Sequence, residues 1–181
     1  MECSYLNGHR DGIASYYAPD GKTLLYETLW ENDGLVSISY AKADGTMSEP
    51  VLIGKDELEV KAYYPNGKVG AVIHFNNGLY NGAVTIYYPN GQSFTTRNYT
   101  DDLLNGTYIF YYPNGQIYQS IDYVYDELHG KKLFYYDNGQ INTEEDYFYS
   151  SQHGKFIHYD KNGNVLHKFS IRCDTREGEL E

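Results

Sequence analysis

One hexapeptide governs what this chain can become. Tyr87-Tyr88-Pro89-Asn90-Gly91-Gln92 returns unchanged at Tyr111 to Gln116, and returns with one residue altered at Tyr63 to Lys68 and at Tyr135 to Gln140. Gly67, Gly91, Gly115, Gly139 and Gly163 therefore stand 24 residues apart. A second series, Gly82, Gly106, Gly130 and Gly154, keeps the same period nine residues ahead of the first. Weaker copies occur at Gly12 with Gly21, and at Gly45, where the register slips by two residues. So strict a period describes a repeat array, in which each unit buries its apolar face against its neighbours.

A single unit reads as a β-hairpin. Val84, Ile86 and Tyr88 alternate with Ala83, Thr85 and Tyr87, the period of a strand with two distinct faces. Pro89-Asn90-Gly91 then supplies a tight loop: proline presets φ, and glycine accepts the left-handed conformation that makes a bulge. The chain returns as a second strand through Gln92 to Tyr99, and a looser connection from Asp101 to Gly106 leads to the next unit. The fold expected is all-β: an elongated, single twisted antiparallel sheet of stacked hairpins, advancing ~10 Å per repeat and roughly 70 Å over seven units. The array occupies 1–171, with an irregular stretch at 35–58, where Pro50 disfavours a central strand. A charged tail occupies 172–181.

In this register, Tyr64, Tyr88, Tyr112 and Tyr136 form a column beside Ile86, Phe110 and Phe134 on the better buried face. Phe75, Tyr99, Tyr123 and Tyr147 form another on the return strands. Tyr87, Tyr111, Tyr135 and Tyr159 lie on the opposite face; they either pack that face or, partly exposed, anchor a partner. The inter-repeat turns carry Asp101, Asp102, Asp126 and Glu127, which are either solvated surface or an acidic stripe facing a basic partner.

Composition narrows the function classes. A net charge of −11 argues against nucleic acid and anionic lipid, and no stretch reaches the ~20 apolar residues of a spanning helix. Tyrosine, at 22 residues, covers apolar neighbours with its ring while keeping its hydroxyl in water, so a thin sheet stays soluble. His153, His158 and Asp160 lack metal-ligand spacing, and His129 and His153 fall in the turn column held elsewhere by Asn81 and Asn105. Neither metal nor cofactor is expected. No nucleophile motif or phosphate loop appears, so the chain reads as a non-enzyme. Cys3 and Cys173, at opposite ends, read as free thiols. No basic region followed by an apolar run opens the chain, which suggests the cytoplasm; a removed leader would instead imply secretion or the cell surface.

The unit Asn-Gly, strand, Tyr-Tyr-Pro-Asn-Gly-Gln/Lys, strand, turn resembles the MORN repeat variant of bacterial proteins, best from Tyr63 to Gly163 and in outline from Asn7. The bacterial family it most resembles is the YwqK-type antitoxins. That resemblance implies a non-enzymatic protein-binding array, an antitoxin or immunity protein that neutralises a partner toxin. The alternatives are a cell-wall carbohydrate binder of the choline- or glucan-binding type, and a structural scaffold. Choline- and glucan-type repeats place tryptophan around the turn, whereas the one tryptophan here, Trp30, lies outside that position.

Overall fold

The computed structural model describes residues 2–6 and 8–172. The expectations for Asn7, for the two cysteine side chains and for the tail beyond Arg172 lie outside what is described. Seventeen strands and no helix occur among the described residues. Five form one antiparallel sheet in chain order: β1 (Glu2–Leu6), β2 (His9–Tyr17), β3 (Leu24–Glu31), β4 (Gly34–Tyr40) and β5 (Val51–Leu52). The second sheet begins with β6 (Leu58–Tyr63), β7 (Val69–Asn76), β8 (Leu79–Tyr80) and β9 (Gly82–Tyr87). It continues through β10 (Ser93–Thr100), β11 (Leu103–Leu104), β12 (Gly106–Tyr111), β13 (Ile117–Val124) and β14 (Glu127–Tyr135), and ends with β15 (Ile141–Phe148), β16 (Ser151–Tyr159) and β17 (Val165–Ile171).

The stacked hairpins expected from the 24-residue period are all present, but the single sheet is not. The array breaks between β5 and β6, within the stretch expected to be irregular. β4 itself is regular, so the irregular part is 41–57. Beyond a short turn closed by the Ala41–Met47 bridge, Pro50 leaves only a two-residue strand, and the pairing does not pass on to β6. The first sheet then lies over the start of the second. One core joins Leu25, Tyr26, Trp30 and Ile38 of the first sheet to Val60, Ile73, Phe75 and Val84 of the second. The single ribbon expected is thus replaced by two sheets with one core, because a lone sheet leaves both faces wet while two stacked sheets share a dry one.

The hairpins use two kinds of turn. At Pro-Asn-Gly, the Tyr88 carbonyl accepts from Gly91 N (2.8 Å), the Tyr88 N–H donates to Gln92 O (2.7 Å), and Asn90 Oδ1 accepts from Gln92 N (2.9 Å). Gly91 stands at φ 94°, and the register shifts within Ser93–Thr95 as expected for a bulge. The other turn, read from sequence as a loose connection, is tight. Asp101-Asp102, Tyr125-Asp126 and Tyr149-Ser150 each have both residues at positive φ, the signature of a two-residue type I′ hairpin. Asn32-Asp33 and Asn77-Gly78 do the same. The glycine that follows relieves crowding: at Gly154, φ 113°, an added Cβ would lie 2.9 Å from Asp146 Oδ2.

Candidate protein-binding surface

The two tyrosines of each repeat divide the work of joining it to the next. The hydroxyl of Tyr64 donates to the carbonyl of Tyr87 (2.6 Å), Tyr88 to Tyr111 (2.8 Å), Tyr112 to Tyr135 (2.9 Å) and Tyr136 to Tyr159 (2.8 Å). The asparagines of the Pro-Asn-Gly and Asp-Asn-Gly turns follow suit, Asn90 Nδ2 reaching Pro113 O at 3.0 Å and Asn138 Nδ2 reaching Lys161 O at 3.1 Å. Tyr87, Tyr111, Tyr135 and Tyr159 therefore form the column expected, with carbonyls engaged and half-buried rings on the face away from the first sheet.

The acidic turn residues are drawn into similar clasps. Asp102 Oδ1 accepts from Tyr80 N (2.6 Å) while Asp102 N donates to Tyr80 O (2.9 Å). Asp126 does the same with Leu104, at 2.7 and 2.9 Å. Asp101 accepts from Asn81 Nδ2 (3.0 Å), and Glu127 from the Ser150 hydroxyl (2.5 Å). The structure thus strings all four along one rim and gives each a bond that holds neighbouring repeats in register. Burial, the main influence on the Asp102 carboxyl, raises its pKa despite the Tyr80 N–H.

Two apolar features of the surface depart from the sequence reading, the first on the face expected to be the better buried, whose Phe110, Tyr112 and Phe134 are only half-buried. The first is the open half of the aromatic face. The shared core ends at Phe94 and Tyr99 on β10; beyond it the same face continues uncovered. Tyr108 stacks on Phe110 at 4.3 Å, Tyr112 meets Tyr118 edge-on at 5.2 Å, and Phe156 stacks on Phe169 at 4.6 Å. Tyr118 remains 43% exposed and Phe169 51%. The charges there are self-contained: Lys132 Nζ lies 3.9 Å from Glu145 Oε2 and 5.1 Å from the Phe134 ring centroid. Burial pushes the Tyr147 phenol up to about 12, which keeps it protonated to donate to Glu145 (2.9 Å).

The second feature is a rim of apolar turn residues. Tyr125 and Tyr149 occupy the first position of type I′ turns at φ 47° and 45°, with 57% and 59% of their surface exposed. Val124 and Phe148 precede them and are exposed as well. Phe148, Tyr149 and His129 touch pairwise, with centroids 4.7–4.9 Å apart. Aromatic side chains are disfavoured at left-handed positions and costly at exposed ones, so this rim spends stability on surface chemistry. The cue in the sequence is the contrast with Asn77 and Asp101, which fill the same turn position in earlier repeats.

The model of the MORN repeat variant matches residues 56–77, 80–101, 104–125, 128–148 and 152–170, more than half the chain. This chain belongs to the MORN repeat variant family. Comparison with curated proteins gives no significant match. The five matched repeats build the second sheet. The first sheet lies outside the match, yet it keeps the family geometry: Gly21 N closes on Ala18 O at 2.9 Å, and Asp33 clasps Arg10 as Asp126 clasps Leu104. The weak copies at Gly12 and Gly21 are thus hairpins with the same turn and clasp geometry as the matched repeats.

Proposed function

We propose that this MORN-variant chain is a non-enzymatic binding protein, an antitoxin or immunity protein that occludes a partner toxin in the cytoplasm. One observation carries the reading: the aromatic face is sealed by the first sheet at one end and left open at the other, where Tyr118 and Phe169 are about half exposed. Contiguous exposed aromatics mark interaction surfaces, and tyrosine is prominent among interface anchors. The net charge of −11 favours a basic partner by speeding encounter, while the aromatic open face supplies the contact. Tyr125 and Tyr149 extend that contact along the rim. Co-expression with the product of the adjacent reading frame tests this. The expected result is a stable complex and protection of the host cell, both lost with Tyr118→Glu combined with Phe169→Glu. Absence of a complex and of protection would overturn it.

A further inference from the structure

Eight Asn-Gly pairs lie among the described residues, and the fold does not hold them equally. The pair is chemically labile: glycine, with no side chain, lets its backbone nitrogen reach the preceding Cγ. Four pairs lie in the Pro-Asn-Gly and Asp-Asn-Gly turns. There Asn66, Asn90, Asn114 and Asn138 each donate from Nδ2 to a carbonyl of the next repeat, at 3.3, 3.0, 3.5 and 3.1 Å. The glycine nitrogens are engaged too, Gly91 N donating to Tyr88 O at 2.8 Å and its counterparts likewise. Between repeats, Asn81 Nδ2 donates to Asp101 (3.0 Å) and Asn105 Nδ2 to Thr100 (3.4 Å). The two remaining pairs sit toward opposite ends of the second sheet.

Asn162 lies in the turn between β16 and β17. Its side chain has no hydrogen bond among the described residues, but Gly163 N still donates to Asp160 O at 3.0 Å. Asn77–Gly78, the turn between β7 and β8, is held least. In later repeats the second turn residue is clasped, Asp102 N to Tyr80 O, Asp126 N to Leu104 O and Ser150 N to Leu128 O. Behind Gly78 lies the irregular stretch 41–57 instead of a regular repeat, and the turn is tied to it from Asn77 N to Lys55 O, at 3.2 Å. Among the described residues, neither the side-chain amide of the exposed Asn77 nor the Gly78 N–H has a hydrogen-bond partner. We infer that Asn77–Gly78 is a modification site, deamidating ahead of the other Asn-Gly pairs described. Gly78 N bonds to the Asn77 Cγ, its proton passing to solvent, and the side-chain nitrogen leaves as ammonia. Water then opens the succinimide at either carbonyl, giving aspartate or isoaspartate. Aspartate suits the turn, since Asp101 fills the same position one repeat on at φ 49°. Isoaspartate lengthens the backbone by a methylene that a two-residue turn cannot absorb, and so loosens the tie from Asn77 N to the link between the sheets. This inference does not depend on the toxin-binding reading.

Peptide mapping by mass spectrometry, on the folded chain held in neutral buffer, tests it. Attack requires the turn to open, so the hydrogen bonds that hold each turn set the order of reaction. The expected order is Asn77, then Asn162, then the pairs held at both groups. Asn90 should react roughly tenfold more slowly than Asn77, with two further bonds to break. Heavy-oxygen water should label the Asn77 peptide first, and a protein isoaspartyl methyltransferase should then methylate it. In concentrated urea the same dipeptide sits in an unfolded chain at every position, so the order should collapse. An Asn90 that reacts as fast as Asn77 in the folded chain would overturn the proposal. So would an unreactive Asn77, or an order that survives unfolding and so belongs to neighbouring sequence instead of the fold.

Discussion

At the scale of single residues, the doubled tyrosine is a joint made of two unlike halves. One ring packs toward the sheet interface and sends its hydroxyl forward; the other lies on the far face and offers its carbonyl. The bond from Tyr112 to Tyr135 joins two neutral groups at the margin of solvent, an arrangement worth about 1 kcal/mol. Tyr112→Phe should therefore lower stability by about that amount in urea unfolding, with the slope of the transition unchanged. A loss below about 0.3 kcal/mol would mean that the tyrosines are retained for their rings alone.

At the scale of elements, half of the turns were readable and half were not. Pro89-Asn90-Gly91 carries its conformation in its composition, because each residue type suits the φ it must adopt. Tyr125-Asp126 and Tyr149-Ser150 do not, since nothing in a tyrosine announces a left-handed backbone. These turns are imposed by the repeat: the second residue of each is clasped to the preceding unit, and the chain must reverse within two residues. The aromatic rim escaped notice for the same reason, and the acids beside it drew attention although their bonds lie within the array. Tyr149→Asn should relieve about 1 kcal/mol of backbone strain, offsetting the lost contacts with Phe148 and His129. Its melting temperature should match or exceed the parent's while binding to any partner captured on the open face weakens, as read by surface plasmon resonance. A destabilised variant that binds normally would assign Tyr149 to the fold instead.

At the scale of the molecule, the fold-back separates a closed half from an open one. The period alone predicts an endless ribbon; it says nothing about where a ribbon doubles over, which depends on contacts between residues far apart in sequence. One of these is at Gly70 on β7, where an added Cβ would sit 2.6 Å from Leu25 Cδ2 and 3.3 Å from the Tyr64 ring. Leu25 is fully buried and has little room to retreat. Gly70→Ala should cost roughly 1–3 kcal/mol by forcing the sheets apart. The same change made in a Leu25→Ala background should cost less, and a double-mutant cycle measures the difference. Additive losses would show that the sheets already tolerate a methyl group there.

The forward-pointing hydroxyls have a consequence for how such a molecule lengthens. Because the second tyrosine of each doubled pair, from Tyr64 to Tyr136, finds its acceptor one unit downstream, a duplicated stretch of 24 residues arrives with its own connector at each end. Whole units inserted after β12 would extend the exposed tract stepwise and leave the doubled-over end undisturbed, so reach toward a larger partner is adjustable by gene duplication without redesign of the core.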